Sequence, residues 1–535
     1  KQKPHPHVVI HAAEPITLER WQRSLASLSH QLYSACDITL MPAHPDEIAK
    51  LRTLPGNYKV VAPDQRLSWQ QRFDEQPKPT QEHHWLISIK AGVELSKHTL
   101  FWLMAEGINN ADRVVLYSDH DFLDANHHRI EPVFKPDWSP ELLRSTPYTG
   151  EMVAIRTDQL TQAGGLRLSS NNDSIDNHDL LLRVTEQLPA QAIYHIPAVL
   201  WHQPQDSAQL SYPIYAPELC PVREHLARMG VVADVQRTPR GHYRLRYALP
   251  AKLPLISVIV PTRDMLGHLK PCIDSVLSKS SYPNYELLII DNQSVEPQTL
   301  AYFKTLTTHS KVKVVPYKQP FNFSAINNYA VEQAQGEVIC LLNNDTEVIT
   351  ADWMEEMLGH LLQAEVGCVG AKLLFADGRV QHAGDTVGPG GCADHLHSKL
   401  ERDEPGYMDR AILAQDLSAV TAACLMTHRE LYISLGGLDE KNLAVAFNDV
   451  DYCLRVREAG KRVVFTPYAE LYHHESMSRG KDDNPEKISR SKREADYIRQ
   501  RWKHLMHHDP FYNPNLSYSR ADFSLSHAPL VNKPW

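Results

Sequence analysis

Two segments of this chain repeat one another at a fixed spacing, and this repeat limits the fold more than any other feature of the sequence. Residues 152–166 (MVAIRTDQLTQAGGL) align without gaps with residues 424–438 (CLMTHRELYISLGGL), an offset of 272. The same offset matches Asp179, Leu182, Arg183 and Val184 with Asp451, Leu454, Arg455 and Val456. Upstream the offset falls to 253, where residues 87–95 face residues 340–348. Such a repeat predicts two copies of one fold.

Short apolar runs alternate with amphipathic segments in the second copy, which is typical of an α/β domain with a mainly parallel sheet. Strands are predicted at 255–260, 286–291, 311–317 and 336–342, with a helix at 268–280. We therefore predict an α/β protein of two tandem domains. The predicted divisions are a first domain at 1–202, a linker with a short helix and a strand at 203–252, a second domain at 253–509, and an extended tail packing on the second domain at 510–535.

Composition excludes several classes of function. The net charge of -9 and the pI near 6.4 provide no basic field for nucleic acid. No window approaches the roughly 18 apolar residues that span a bilayer, so only peripheral membrane contact is expected. The eight cysteines include no CxxC pair, which favours buried, reduced thiols in a cytoplasmic protein.

Polar side chains follow the predicted strand at 336–342. Ligands of α/β sheets gather beyond the carboxyl ends of the strands. Asn343, Asn344 and Asp345 stand at such an end, and Mg²⁺ or Mn²⁺ prefers oxygen ligands. Asp345 is therefore predicted to bind a divalent cation, with a turn or helix cap as the alternative. His473 or His474, after a later strand, would complete the shell unless both are surface residues; we take His473.

A second carboxylate begins a predicted helix at 447–460, where Asp449 and Asp451 stand in the first turn. A carboxylate there gains from the helix dipole and can point into a cleft. Asp449 suits a general base that removes a proton from an attacking hydroxyl. Simple helix capping is the alternative. Asp291 ends another strand and could accept from a nucleotide base or ribose, beside the turn after the first strand at 261–264.

The order of these motifs resembles the inverting glycosyltransferases of family 2, among them bacterial rhamnosyltransferase-like enzymes of cell-surface polysaccharide assembly. The resemblance covers about residues 250–525. It is carried in chain order by PTRD, IIDNQS, PFNFSAINN, NNDTEV, TAACLM, LGGLDE, FNDVDYCLR and YHHESMSRG.

This resemblance implies a GT-A fold and a single displacement with inversion at the sugar carbon. It implies a UDP-, dTDP- or GDP-linked sugar donor, an Mg²⁺ or Mn²⁺ ion, and a hydroxyl acceptor on a surface glycan or lipid-linked precursor. The implied donor-nucleotide residues are Pro261, Thr262, Asp291, Asn328 and Asn344. The implied metal ligands are Asp345, Asn343 and His473, with Asp449 as the base. The implied acceptor side comprises Thr421, Ala422, Ala423 and Asp451.

The sequence departs from the family pattern at three positions. Asn343 replaces the first Asp of the family's DxD motif, Asn327 stands where Arg is common, and Asn448 where Glu is common. The metal shell is therefore less anionic than usual, and a phosphate clamp at Asn327 is in doubt. We expect the loop at 384–399 to shape specificity.

The first half is predicted to be a degenerate copy. The internal alignment places Gly92 opposite Asp345 and Asn177 opposite Asp449. Glycine offers no side-chain ligand and an amide cannot act as a base, so catalysis is not expected there. Asp119 and Asp121 are predicted to be surface-turn carboxylates.

Two other functions stay open for the whole chain. A nucleotidyltransferase also uses a metal and a nucleotide at a sheet edge, although it has little need of a base at Asp449. A non-catalytic glycan-binding scaffold would follow if the substitutions at Asn343 and Asn327 abolish donor binding. For an enzyme of the predicted class, we expect the inner face of the cytoplasmic membrane as its place of action.

Overall fold

A computed structural model describes residues 4–66, 70, 84–167, 175–205, 220–474, 485–531 and 533–534. The chain forms two compact units. The first unit comprises Lys1–Leu245 and Ala528–Trp535, and the second comprises Arg246–His527. The division between them lies inside the stretch expected to be a linker, and the predicted tail is shared between the units.

The first unit is built on one large sheet, in the order β3-β2-β1-β4-β8-β6-β9-β5 with β7 on β6. Its strands are β1 (His5–His11), β2 (Asp37–Met41), β3 (Lys59–Val60), β4 (His84–Lys90), β5 (Glu94–Leu95), β6 (Val115–Leu123), β7 (Arg129–Val133), β8 (Met152–Arg156) and β9 (Ile193–Pro204). Its described helices are α1 (Leu18–Ser29), α2 (Asp46–Leu51), α3 (Thr99–Asn109), α4 (Pro140–Ser145), α5 (Thr157–Gln162), α6 (Asn177–Thr185) and α7 (Pro221–Arg228). A separate hairpin follows, β10 (Ala233–Arg237) and β11 (Tyr243–Tyr247).

The second unit has a large sheet in the order β14-β13-β12-β15-β22-β17-β23-β16, with β18 on β17 and β21 on β23. The strands of the unit are β12 (Ile256–Thr262), β13 (Tyr285–Asp291), β14 (Val312–Pro316), β15 (Val338–Leu342), β16 (Thr346–Val348), β17 (Val366–Leu374), β18 (Val380–His382), β19 (Asp385–Val387), β20 (Ala393–His395), β21 (Gln415–Asp416), β22 (Cys424–His428) and β23 (Arg462–His473). Its described helices are α8 (Leu266–Lys279), α9 (Pro297–Leu306), α10 (Phe323–Gln333), α11 (Trp353–Leu361), α12 (Arg429–Ser434), α13 (Asn448–Glu458) and α14 (Pro485–Arg501). Strands β19 and β20 form a small hairpin of their own.

The two large sheets have the same strand order when read from one edge to the other. Each begins with parallel strands: β1 pairs in parallel with β2 and β4, and β12 pairs in parallel with β13 and β15. Each then continues through an antiparallel strand, β8 or β22. The prediction of an α/β protein with two tandem, mainly parallel sheets is confirmed.

The core of the second unit follows from the apolar runs of the sequence. Residues of β12 and β13 bury their side chains on both faces of the sheet, as expected where helices cover a parallel sheet. Helix α8 buries Leu269, Cys272, Ile273 and Val276, whose spacing places them on one helical stripe. This packing fixes the carboxyl ends of the strands, where the predicted site residues lie.

A pair of residues that the repeat matches, an Asp and an Arg, forms the same contact in both units. In the first unit, Arg183 pairs with Asp179 at 2.8 Å and donates to the carbonyls of Ala163 and Gly165. In the second unit, Arg455 pairs with Asp451 at 2.8 Å and donates to the carbonyls of Leu435 and Gly437. Each arginine therefore ties a helix to the turn that closes the repeated segment.

The prediction for Asp119 and Asp121 is wrong. Both lie in β6 and are buried, with 0% and 3% of their surface exposed. His195 lies 2.8 Å from Asp119, and His202 lies 2.5 Å from Asp121. Strand β9 thus supplies a hydrogen-bonding partner for each of these polar residues.

The structure agrees with the expectation of buried, unpaired thiols. All eight cysteines are free thiols, and seven of them are buried. Among the described residues, no helix is long and apolar enough to cross a bilayer.

Candidate functional site

The carboxylates of Asp345 and Asp449 belong to the same edge of the second sheet. At the end of β15, the Asn343 amide donates to the carbonyl of Ala423 at 3.0 Å. The neighbouring amide of Ala422 donates to Asp449 at 2.9 Å. Residues 421–423 therefore link the strand that precedes Asp345 to the helix that carries Asp449.

Asp449 is held by donors on both carboxylate oxygens. Its Oδ2 accepts from the Thr421 hydroxyl at 3.2 Å and from the Ala422 amide, while its Oδ1 accepts from the Val450 amide at 2.9 Å. The residue is half-buried in the first turn of α13, where the helix dipole favours negative charge. It is thus an oriented hydrogen-bond acceptor at the edge of the sheet.

A later helix supports the loop before Asp449. The buried carboxylate of Glu494, in α14, accepts from the amides of Val445 at 3.2 Å and Ala446 at 2.8 Å. Asn448 is buried and donates to the carbonyl of Val445 at 3.0 Å. These contacts keep the start of α13 in place, and no motif in the sequence pointed to Glu494.

His473 faces Asp345 with a defined nitrogen. Its Nδ1 lies 2.6 Å from the amide oxygen of Gln381, and since that oxygen only accepts, Nδ1 carries the proton. Its Nε2 is then directed, at 3.3 Å, toward the carboxylate of Asp345. A ring nitrogen with a lone pair beside a carboxylate oxygen is a donor set suited to a cation, and the Gln381 contact fixes the ring as outer-shell partners do.

The other predicted ligands take different positions. Asn343 turns its amide nitrogen toward His473 Nε2 at 3.3 Å, so it supports the histidine rather than presenting an oxygen to a cation. His474 lies 3.7 Å from Glu347, and only its backbone amide reaches Asp345, whose carbonyl accepts from it. Of the two adjacent histidines, His473 is therefore the one beside Asp345.

The predicted nucleotide residues of three strands lie together at the same edge. The side-chain amide of Asn344, just after β15, donates to the Thr262 hydroxyl of β12 at 3.0 Å. Thr262 also accepts, through its carbonyl, from the amide of Asn292 at 2.8 Å. Asp291 accepts from the Ser294 amide at 2.8 Å, which shapes the turn after β13. Pro261 is half-buried and lies beside Thr262 at the end of β12, so it belongs to the same edge.

Asn328 does not join this group, contrary to the prediction. Its amide oxygen accepts from the Tyr432 hydroxyl at 2.7 Å and the Leu438 amide at 2.9 Å. Its amide nitrogen donates to the carbonyl of Leu438 and the carboxylate of Glu440. The side chain is therefore committed to joining α10 to the turn near Gly437.

Asp451 is likewise misassigned to the acceptor side. It is fully buried, and besides pairing with Arg455 it accepts from the indole of Trp502 at 3.0 Å. It lies two residues after Asp449 on one helix, and residues two apart point in different directions. Asp449 turns toward Thr421 and Ala422, and Asp451 turns into the protein.

Part of the second unit matches a known protein family. Residues 257–434 match the family described as Glycosyl transferase family 2. The matched residues lie in the second unit, from β12 to α12, and resemble a glycosyltransferase family 2 domain. Asp291, Asn343 and Asp345 lie within the matched residues, whereas Asp449 and His473 lie beyond them.

Two curated relatives align over most of the chain. The uncharacterized protein y4gI of Sinorhizobium fredii is 42% identical over 424 residues, 78% of this chain and 46% of that protein. The O-antigen biosynthesis protein RfbC of Myxococcus xanthus is 38% identical over 450 residues, 81% of this chain and 34% of that protein. The chain thus spans less than half the length of either relative. Among solved structures, the mannosyltransferase PcManGT from Pyrobaculum calidifontis aligns with a TM-score of 0.33 and 17% identity, covering 42% of this chain and 58% of that one.

Proposed function

We propose that the second unit transfers a sugar from a nucleotide-diphosphate sugar to a hydroxyl, with inversion at the sugar carbon. The family 2 match supports the class of reaction. The observation that carries the proposal is the single edge on which Asp449 and the Asp345–His473 pair both lie, joined through residues 421–423. The name of the Myxococcus xanthus relative supports a surface glycan, or its lipid-linked precursor, as the acceptor, which would place the enzyme at the inner face of the membrane.

The proposed reaction needs one oriented base. The acceptor oxygen bonds to the anomeric carbon as the bond from that carbon to the diphosphate breaks, and the nucleoside diphosphate leaves. The acceptor proton passes to Asp449, whose carboxylate is oriented by Thr421 and Ala422. The donors to both oxygens hold the Asp449 carboxylate in one orientation.

Asp345 and His473 are the residues that would hold Mg²⁺ or Mn²⁺, since a carboxylate oxygen and a ring nitrogen with its lone pair face each other at 3.3 Å. A cation bound there stabilises the negative charge that develops on the departing diphosphate. Thr262, Asn344 and Asp291 are proposed to contact the nucleoside, because their polar atoms lie at the ends of β12, β15 and β13. The first unit is proposed to be non-catalytic.

A panel of UDP-, dTDP- and GDP-sugars tests the proposal, using the full chain with Mn²⁺. One donor should raise the melting temperature through mass action and undergo slow hydrolysis to sugar and nucleoside diphosphate. Absence of binding and hydrolysis across the panel would overturn the proposal in favour of a glycan-binding scaffold. Release of pyrophosphate from a nucleoside triphosphate would instead indicate a nucleotidyltransferase.

A further inference from the structure

A cluster of two buried side chains and one partly exposed histidine, next to the proposed base, is not used by the reaction described so far. It comprises His382 at the end of β18, Asp385 at the start of β19 and His395 at the end of β20. His395 Nδ1 lies 2.5 Å from Asp385 Oδ1, and His382 Nδ1 lies 3.3 Å from the same oxygen. The two ring nitrogens are 3.1 Å apart. Three polar atoms therefore converge on one point.

The outer nitrogen of His382 points toward the proposed active site. The backbone amide of Thr421 is directed at His382 Nε2 over 3.5 Å, a long contact in which the amide is the donor. Since Nε2 must accept, it bears the lone pair, and Nδ1 carries the proton. That proton, like the one on His395 Nδ1, is directed at Asp385. This arrangement satisfies the contacts with Thr421 and Asp385 and directs both Nδ1 protons at the same carboxylate oxygen.

Burial and charge favour the same arrangement. His382 is fully buried and Asp385 is 4% exposed. Burial alone would raise the pKa of Asp385, but the adjacent rings of His382 and His395 outweigh it and hold that pKa well below its usual range. Burial lowers the pKa of His382, opposed by Asp385 and more weakly by Asp449. An ionised Asp385 beside a neutral His382 is the state that directs Nε2 at Thr421.

We propose that His382 is a positioning residue, which Asp385 holds in the Nδ1-protonated tautomer so that its Nε2 fixes Thr421 and, through Thr421, the base Asp449. The proposal rests on the proposed function of Asp449. Thr421 is the junction, because its amide faces His382 while its hydroxyl donates to Asp449 at 3.2 Å. If the proton moved to Nε2, it would oppose the Thr421 amide and displace the residue that orients the base.

A metal ion at the same three atoms is the competing arrangement. Two imidazole nitrogens and a carboxylate oxygen are a set that Zn²⁺ accepts. Coordination through His382 Nδ1 would, however, force the proton onto Nε2, where it meets the Thr421 amide. The contact with Thr421 therefore favours protons over a metal at this cluster.

The substitution Asp385→Asn tests the proposal with almost no change in shape. The amide nitrogen of asparagine can donate to His382 Nδ1, which would shift the histidine proton to Nε2. We expect kcat for sugar transfer to fall by about 100-fold, the lower end of what general-base catalysis contributes, with an unchanged donor KM. The control Asp377→Asn changes an exposed carboxylate paired with Arg379 and should leave kcat unchanged.

A second measurement reads the tautomer directly and does not depend on activity. In ¹⁵N-histidine NMR of the full chain, the His382 signal, identified by its loss in His382→Gln, should report an Nδ1 proton in the wild type and an Nε2 proton in Asp385→Asn. A wild-type Nε2 proton, an unchanged kcat in Asp385→Asn, or stoichiometric Zn²⁺ binding that His395→Gln abolishes would each overturn the proposal. If the wild type turns over no nucleotide sugar, the proposed function is wrong. The NMR measurement tests the tautomer of His382 independently of that outcome.

Discussion

The two units share a scaffold and differ at its functional edge. Both sheets have the same strand order, and both contain the buried Asp–Arg pair that holds a helix against the repeated turn. At the carboxyl edge, the first unit has Gly92 in place of Asp345 and Asn177 in place of Asp449. The parts common to both units are therefore those that hold the fold together.

Strand register extends this comparison to a third position. In the second unit Glu347 pairs with Tyr472, and in the first unit the equivalent Glu94 pairs with His202. The next residue along each long strand is His473 or Gln203, so Gln203 stands in the place of the proposed metal ligand. Gly92 also has a φ of 97°, a conformation that other residues avoid. The first unit thus differs at the edge in its backbone as well as in its side chains.

The proposed base provides the sharpest test of the comparison. Asp449→Asn should lower kcat by about 10²-fold to 10⁴-fold, because an amide cannot take the acceptor proton, while donor affinity stays near normal. The matched variant Asn177→Ala should change neither. Both are measured by product formation and by calorimetric titration with the donor. Loss of transfer in Asn177→Ala would show that the first unit is not a silent copy.

The Asp–Arg pair found in both units should stabilise the fold of each unit. Asp451→Ala leaves Arg455 largely buried and unpaired, which should lower the free energy of unfolding of the second unit by about 3 kcal/mol. Asp179→Ala should act in the same direction on the first unit, with a smaller effect because Asp451 also accepts from Trp502. Urea unfolding followed by tryptophan fluorescence measures both. A stable Asp451→Ala protein with altered acceptor specificity would restore the original acceptor-side assignment.

Cation binding by Asp345 and His473 should weaken when the second unit is given the residue that the first unit has at the same position. His473→Gln copies Gln203 and should weaken Mn²⁺ binding by at least about tenfold, the smallest loss typical of an outer-shell partner. The reciprocal change Gln203→His should create no site, because Gly92 offers no ligand beside it. Titration of Mn²⁺ followed by electron paramagnetic resonance distinguishes these outcomes. Unchanged binding in His473→Gln would exclude the histidine as a ligand.

The smallest expected effect concerns the backbone of the first unit. Gly92→Asp places a side chain at a positive φ and should destabilise the first unit by about 1 kcal/mol through local strain. Nothing packs within 3.4 Å of the new Cβ, since its nearest neighbour is the side chain of Arg20 at 3.5 Å. Thermal unfolding measures the cost. A stabilised protein that gains Mn²⁺ affinity would show that the two edges differ in side chains alone.

Much of the scaffold could be predicted from the sequence because apolar runs and strand ends obey simple geometry. The apolar runs at 255–260 and 286–291 form β12 and β13. Because parallel strands end at one edge of the sheet, Thr262 of β12 and Asn344, which follows β15, lie in contact there. The sequence also predicted that His473, which follows a later strand, lies near Asp345, and the two side chains are 3.3 Å apart.

Side-chain direction could not be read in the same way. Asn328 and Asp451 lie on helices near the edge, but their partners, the turn at 436–440 and Trp502, come from distant sequence. His195 and His202 likewise bury Asp119 and Asp121 from a strand about 80 residues later. Gln381 and Glu494 contact residues 92 and 49 positions away, so their roles have no local signature. His382 and Asp385, in contrast, are only three residues apart.

The support that Glu494 gives to residues 445–446 bears on the order in which the protein is made. The strands, Asp345 and Asp449 all leave the ribosome before α14 does. A nascent chain would therefore have a formed sheet while the loop before the base still lacked its brace. On the proposed function, the base Asp449 would then be held in place only after the donor-side residues have been made.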